Sequence, residues 1–340
     1  MKTHKTVVAL FVALAIMGGT AVSAAGAPRG VDASAKKKNF TVAFSLPTGA
    51  NPFLKATSDA LGAYVKHAGG QYKTTDAHLN PNQQIADIDQ LVAEQVDAIA
   101  LVAFDAKSVG PALRRAHDAG IKVFGVVFDI NYDGAPPAAP VDGQVLDDRP
   151  QIAKDQAVYV NKRLHGKGQV AYIDFGFPVP ALQFSQKAFS QDLDQYRGLD
   201  LVGTFKNPTD DTAGGRTQAD DALTKYPDLN AIVAYNDTTA LGAASAVSAA
   251  DKTSDVVIVG AQLEPAGATA IKRGKLDASA DNQPVVMGTE LGKLIIAVVQ
   301  GKPRSQWHKT VIVPAKFYDK SNIRDWVTWD RQIAAISKKK

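Results

Sequence analysis

Ala231-Ile232-Val233-Ala234-Tyr235-Asn236-Asp237-Thr238-Thr239-Ala240-Leu241-Gly242-Ala243 reads as a strand that turns directly into a helix. Residues 231–235 are the apolar strand, and the helix spans 239–250. Asp237 is expected to cap the free amides at the helix start. Upstream the same unit repeats: helix 151–164, strand 169–173, helix 181–197, strand 199–205 and helix 212–225. Residues 256–260 close the series as a further strand.

A Pro- and Gly-rich stretch at 134–148 separates this series from an earlier one. Strand 40–44 leads to Asn51-Pro52, a helix start in which Asn caps and Pro loses no needed donor. The helix over 53–68 stops at Gly69-Gly70, and 71–76 is the second strand. The next helix opens at Pro81, with Ile85, Ile88, Leu91 and Val92 as its buried stripe. Ala98-Ile99-Ala100-Leu101-Val102 is continuously apolar, as suits a parallel strand buried on both faces. A helix through Leu113 and Ala116 stops at Gly120, and 122–128 is the next strand. Two such runs predict an α/β chain with two doubly wound parallel-sheet lobes. Ligands of such sheets bind beyond the carboxyl ends of the strands. The loops of interest therefore follow Phe44, Phe104, Phe128, Ile173, Phe205, Tyr235 and Gly260.

The 340 residues are 45% hydrophobic and 21% charged, the composition of a folded soluble chain. With no cysteine, disulfides, thiolate metal sites and cysteine nucleophiles are excluded. The six histidines are scattered without metal-ligand spacing, so neither metal nor cofactor is expected. The net charge of +4 gathers at the ends, in Lys36, Lys37 and Lys38 and in Lys338, Lys339 and Lys340. No basic stripe interleaves with aromatics, so nucleic acid is not an expected partner. There is no G-x-S-x-G, Walker loop or histidine dyad, and no catalytic residue is expected. Lys2 and Lys5, the apolar run 7–17 and the small residues Val22-Ser23-Ala24 or Ala25-Gly26-Ala27 form a secretory signal peptide over 1–27. The run is too short to span a bilayer comfortably. Residues 28–38 read as a flexible leader. No cysteine is available for a lipid anchor, so the expected location is the periplasm.

Phe44-Ser45 followed by Asn51-Pro52-Phe53 resembles the first strand and loop of ribose-binding-type periplasmic solute-binding proteins. The block 234–243, an Asn-Asp pair leaving a strand ahead of a small-residue helix, resembles that family and the related lactose-repressor family. Val257-Ile258-Val259-Gly260, Gly274-Lys275-Leu276-Asp277-Ala278-Ser279, Lys302-Pro303 and the strand at 311–313 are similar to its later segments. The resemblance covers 39–313; a repressor would need a helix-turn-helix where the signal peptide stands. It implies a type I periplasmic-binding fold, with two lobes, three hinge crossovers and a ligand cleft between the lobes. The crossovers are expected near 142–148, 261–264 and 281–284. The N-terminal lobe would comprise 39–143 plus 283–313, and the C-terminal lobe 146–281 plus 314–340. Trp326 and Trp329 in the tail are expected to pack rather than touch ligand.

The function the resemblance implies is the substrate-binding component of an ABC importer. It would bind a small sugar or sugar-like solute, close about its hinge and present the closed form to an ABC permease. A monomer is expected; presentation to a chemoreceptor or sensor kinase is the first alternative and an enzyme of the cleft the second. The implied ligand contacts are Ser45, Asn51, Phe53, Leu54, Asp129, Ser185, Asp210, Asn236, Gln262 and Asn282. Asn51 can donate to a hydroxyl, cap its helix, or do both; Phe53 can stack on the apolar face of a sugar. Asp129 can accept two hydroxyl protons. Gln262 and Asn282 lie where crossovers are expected and can serve either ligand or hinge backbone. Phe128, Phe175, Phe177, Phe184 and Phe104 are further apolar candidates. Several positions depart from the ribose group. Leu54 stands for an aromatic, Ile130 and Ser185 for arginines, Asp210 for an aromatic and Gln262 for an aspartate. Without those two arginines a ring sugar lacks much of its fixed donor set. The expected solute is accordingly a polyol, a deoxy or modified sugar, or a small alcohol-bearing metabolite.

Overall fold

The computed structural model describes residues 39–103, 105–129 and 140–338, and the two α/β lobes fall within them. The expected signal peptide and leader, Phe104 and Ile130 lie outside the described residues. The first sheet grows from β1 (Thr41–Leu46), α1 (Pro52–His67), β2 (Gln71–Asp76), α2 (Pro81–Ala93), β3 (Ala98–Leu101), α3 (Ala106–Asp118), β4 (Lys122–Val127) and β5 (Gly143–Asp147). The second follows with α4 (Arg149–Arg163), β6 (Gly168–Phe175), α5 (Pro180–Leu193), β7 (Leu199–Asn207), α6 (Thr212–Lys225), β8 (Leu229–Ala234), α7 (Asp237–Ala249), β9 (Val257–Ala261), α8 (Pro265–Arg273) and β10 (Ala278–Asp281). The chain then returns with α9 (Pro284–Val299) and β11 (Thr310–Val313), and ends with β12 (Lys316–Asp319) and α10 (Trp329–Ile336).

The strand orders are β11-β5-β4-β3-β1-β2 and β12-β10-β9-β8-β6-β7. All pairings are parallel except β12 on β10. The central strand β3 is buried along its whole length, as its apolar run demands. Helices α1 and α9 cover one face of the first sheet and α2 and α3 the other. In the second lobe α6 and α7 oppose α4 and α5. Gly215 and Gly242 let α6 and α7 touch backbone to backbone. A Cβ at Gly242 would lie 2.2 Å from the Thr212 carbonyl oxygen, and one at Gly215 2.5 Å from that of Thr239.

Three expectations need correction. The stretch read as a linker contains β5, which pairs with β4 and β11, so a lobe boundary at residue 143 would cut a strand. Its sequence, Gly-Gln-Val-Leu-Asp, has no apolar run to announce it. Residues 261–264 are not a crossover, because β9, α8 and β10 all belong to the second lobe. The chain crosses after β5, after β10 and between β11 and β12. The tail is not confined to the second lobe either. β12 extends the second sheet, whereas α10 packs on α1 and α9 of the first lobe. Trp326 and Trp329 are both buried, with ring centroids 6.4 Å apart and edges meeting.

Candidate functional site

Strand ends from both sheets converge on a cavity of about 60 Å³. The first lobe lines it with Thr48, Asn51, Phe53 and Leu54 after β1 and with Val127 and Phe128 at the end of β4. The second lobe supplies Phe175 from β6, Asp210 from the β7–α6 loop, Tyr235 after β8 and Gln262 after β9. Phe175 and Tyr235 stack in a tilted pair with centroids 5.7 Å apart.

Asp210 is the polar centre. Its Oδ1 accepts from Asn236 Nδ2 at 2.8 Å and from the Tyr235 hydroxyl, and its Oδ2 accepts from Asn51 Nδ2 at 3.2 Å across the cleft. Burial raises the Asp210 carboxyl above the usual carboxylate range, and these three donors oppose that rise. Asp210 holds φ 52°, a left-handed conformation that aspartate tolerates. The loop is set by Asn207, whose Nδ2 donates to Asp211 O at 3.0 Å and to Thr239 Oγ1 at 2.9 Å. Asp211 then caps α6 by accepting from Gly214 N at 2.7 Å.

Both asparagines act twice. Asn51 Oδ1 accepts from Phe53 N at 3.0 Å and Leu54 N at 3.2 Å, capping α1 while its amide reaches Asp210. Asn236 Oδ1 accepts from Thr239 N at 2.8 Å and so caps α7. The expectation that Asp237 caps this helix is therefore corrected. Asp237 occupies the first helical turn, wholly buried, where it accepts from Glu264 N at 2.9 Å and from Ser279 Oγ at 2.6 Å. Burial, and then the nearby Glu264 carboxylate, raise its pKa well above the usual range.

Behind the cavity a polar chain crosses the hinge. Arg149 donates from Nη1 to Ser185 Oγ at 2.9 Å and from Nη2 to Asp147 Oδ2 at 2.9 Å. Asn282 Nδ2 donates to the same Asp147 oxygen at 2.7 Å, and Asn282 Oδ1 accepts from Gln262 N at 3.0 Å. The Arg149 guanidinium also lies 4.7 Å from the ring centroid of Phe128.

Of the expected contacts, Asn51, Phe53, Leu54, Asp210 and Gln262 line the cavity. Asn236 stands directly behind Asp210, fully buried. Ser185 and Asn282 belong to the hinge chain. Half-buried Asp129, next to Phe128, and fully buried Ser45, within β1, are outside the lining. Phe128 and Phe175 line it, whereas Phe177 is 39% exposed and Phe184 is half-buried, neither in the wall.

Residues 42–303 match the periplasmic binding protein domain. The chain belongs to the periplasmic binding protein family. It is similar to the ribose import binding protein of Bacillus subtilis, at 26% identity over 284 residues, covering 83% of this chain and 88% of that relative. A solved ABC transporter periplasmic solute binding protein of Actinobacillus succinogenes with bound D-allose aligns at a TM-score of 0.78 and 20% identity, covering 84% of this chain and 100% of that one. A Bacillus halodurans ABC transporter solute binding protein with bound myo-inositol aligns at 0.76 and 23% identity, covering 86% of this chain and 98% of that one. The family is one of substrate-binding transport proteins and not of enzymes. Among the described residues no helix is long and apolar enough to cross a membrane.

Within this periplasmic binding protein, sequence reasoning missed Tyr235 and Arg149. Tyr235 was legible from its place immediately before Asn236 at a strand end. Arg149 brings a guanidinium to Ser185, the position where the ribose group carries an arginine, but from a different helix. Only the crossover itself, which places the start of α4 beside the cleft, could have pointed to it.

Proposed function

We propose that this periplasmic binding protein is the solute receptor of an ABC importer and takes a small sugar or sugar-like solute between its lobes. The observation that carries this reading is the hydrogen bond from Asn51 of one lobe to Asp210 of the other, inside a cavity walled by aromatic rings. A solute there touches both lobes at once, so its binding favours the closed form that a permease would recognise. The relatives support it: one is named for ribose import, and two solved proteins of the same fold hold D-allose and myo-inositol. No guanidinium lines the cavity among the described residues, which favours a polyol, deoxy sugar or modified sugar over a fully hydroxylated ring. Residues 1–27 act in this reading as the export signal that delivers the receptor, working as a monomer, to the periplasm.

Thermal-shift screening against pentoses, hexoses, polyols, deoxy sugars and amino sugars tests the reading. A ligand at 100 times its Kd stabilises the fold by about 2.7 kcal/mol, a shift of several degrees for a protein of this size. The hit should vanish in Asp210→Ala and Asn236→Ala. A folded protein that no member of the panel stabilises would sink the sugar-type assignment.

A further inference from the structure

Sugar hydroxyls both donate and accept, so a cleft for a neutral polyol presents acceptors and free donors together. Three donors at this cavity are already committed to Asp210. The amide nitrogens of Asn51 and Asn236 and the hydroxyl of Tyr235 all point at Asp210, and the amide oxygens of the two asparagines are held by helix amides. What remains for a solute is the Asp210 carboxylate, the second N–H of the Asn51 amide, the Thr48 hydroxyl and the Gln262 amide, whose buried Oε1 has no hydrogen-bond partner.

The charge balance is equally one-sided. Three neutral groups surround Asp210, and none of the ion pairs among the described residues includes Asp210, Asp237 or Glu264. Arg149 is paired with Asp147 at 2.9 Å and Lys206 with Asp174 at 2.5 Å. The cavity wall around the carboxylate includes the rings of Phe53, Phe175 and Tyr235, which can attract a cation, whereas the Phe128 ring already carries the Arg149 guanidinium. A buried carboxylate without a counter-charge, set among aromatic faces, is complementary to a group that carries positive charge and only donates.

We propose that the solute carries a protonated amine, as an amino-deoxy sugar or amino polyol does, and that Asp210 receives this ammonium among those rings. The proposal rests on the sugar-type reading above and narrows it. Isothermal titration of the purified protein with matched pairs tests it: D-glucose and D-glucosamine, D-galactose and D-galactosamine, D-glucitol and 1-amino-1-deoxy-D-glucitol. The amine should bind at least about tenfold more tightly than its hydroxyl partner in a pair that binds. N-acetylation, which removes the charge and keeps the ring, should abolish that advantage in the wild-type protein. Asp210→Asn should reduce the preference to about twofold or less. Should that variant fail to fold, the N-acetyl comparison decides alone. Neutral members binding as well as or better than the amines would overturn the ammonium and leave the sugar reading standing. A preference unchanged in Asp210→Asn would overturn Asp210 as its receptor. If no member of any pair binds to folded protein, the ammonium proposal falls, and the sugar-type reading stands or falls with the wider thermal-shift panel.

Discussion

Asn236 joins helix capping to ligand-site geometry in one side chain. Replacing it with alanine removes the cap on α7, a loss of about 1 kcal/mol. It also withdraws a donor from buried Asp210, which adds roughly 1–3 kcal/mol. We expect Asn236→Ala to lower unfolding stability in urea by about 2 kcal/mol or more and to abolish solute binding; unchanged stability would contradict the shared role. Glu264 makes a second prediction at this scale. Burial pushes its carboxyl from an ordinary 4.5 up to about 7, and its Oε1 has no partner. Between those values the native chain holds a proton that the unfolded chain has released. Its contribution to stability is therefore full below about pH 4.5 and is lost as pH rises through 7. Asp237, raised by burial as well, acts with the same sign. The melting temperature should fall between pH 5 and pH 8, and Glu264→Gln should flatten that fall; a wild-type profile that rises over the interval would refute the assignment. The sequence misled about Asp237 for a physical reason. Asparagine and aspartate cap equally well, and what separates them here is a niche the sequence does not display. A Cβ at Gly267 would lie 1.7 Å from Asp237 Oδ2, and one at Gly260 2.0 Å from Oδ1. Two distant glycines open the space for that carboxylate.

At the scale of elements, continuous apolar strands such as β3 and β4 were legible because burial on both faces forces every residue to be apolar. The site residues at strand ends were legible for a related reason, since parallel topology brings those ends together. β5 was not, because its polar residues serve the hinge: Asp147 ends the strand and holds both Arg149 and Asn282. This chain of contacts ties the end of β5, the start of α4 and the turn between β10 and α9. Arg149→Met would leave Asp147 buried and deprived of its only ion pair among the described residues, a loss of about 3–5 kcal/mol. Adding Asp147→Asn should recover much of the loss, because the uncompensated charge goes with it. Chemical denaturation of both variants checks this; equal losses in the single and double variants would show that the pair contributes through packing instead.

The whole molecule holds its lobes together by more than the three crossovers. After β12 joins the second sheet, Ile323 and Trp326 are buried, the segment 323–325 lying against α8 of the second lobe. The chain then reaches α1 and α9 of the first lobe through α10, anchored by buried Trp329 and Ile336. The tail is thus a non-covalent fourth tie, and the polar look of its sequence beyond the two tryptophans hid it. Hinge opening must either carry this segment along or peel α10 from its groove. Removing the Trp329 side chain takes away the main anchor at a cost of about 3–5 kcal/mol to the packing it makes. In Trp329→Ala the solute-free protein should populate more open forms, seen as a larger radius of gyration by small-angle X-ray scattering. Saturating solute should return it to the wild-type value, because ligand contacts with both lobes still favour closure. An unchanged solute-free radius in a variant that is measurably less stable would mean that α10 rides on the first lobe without restraining the hinge.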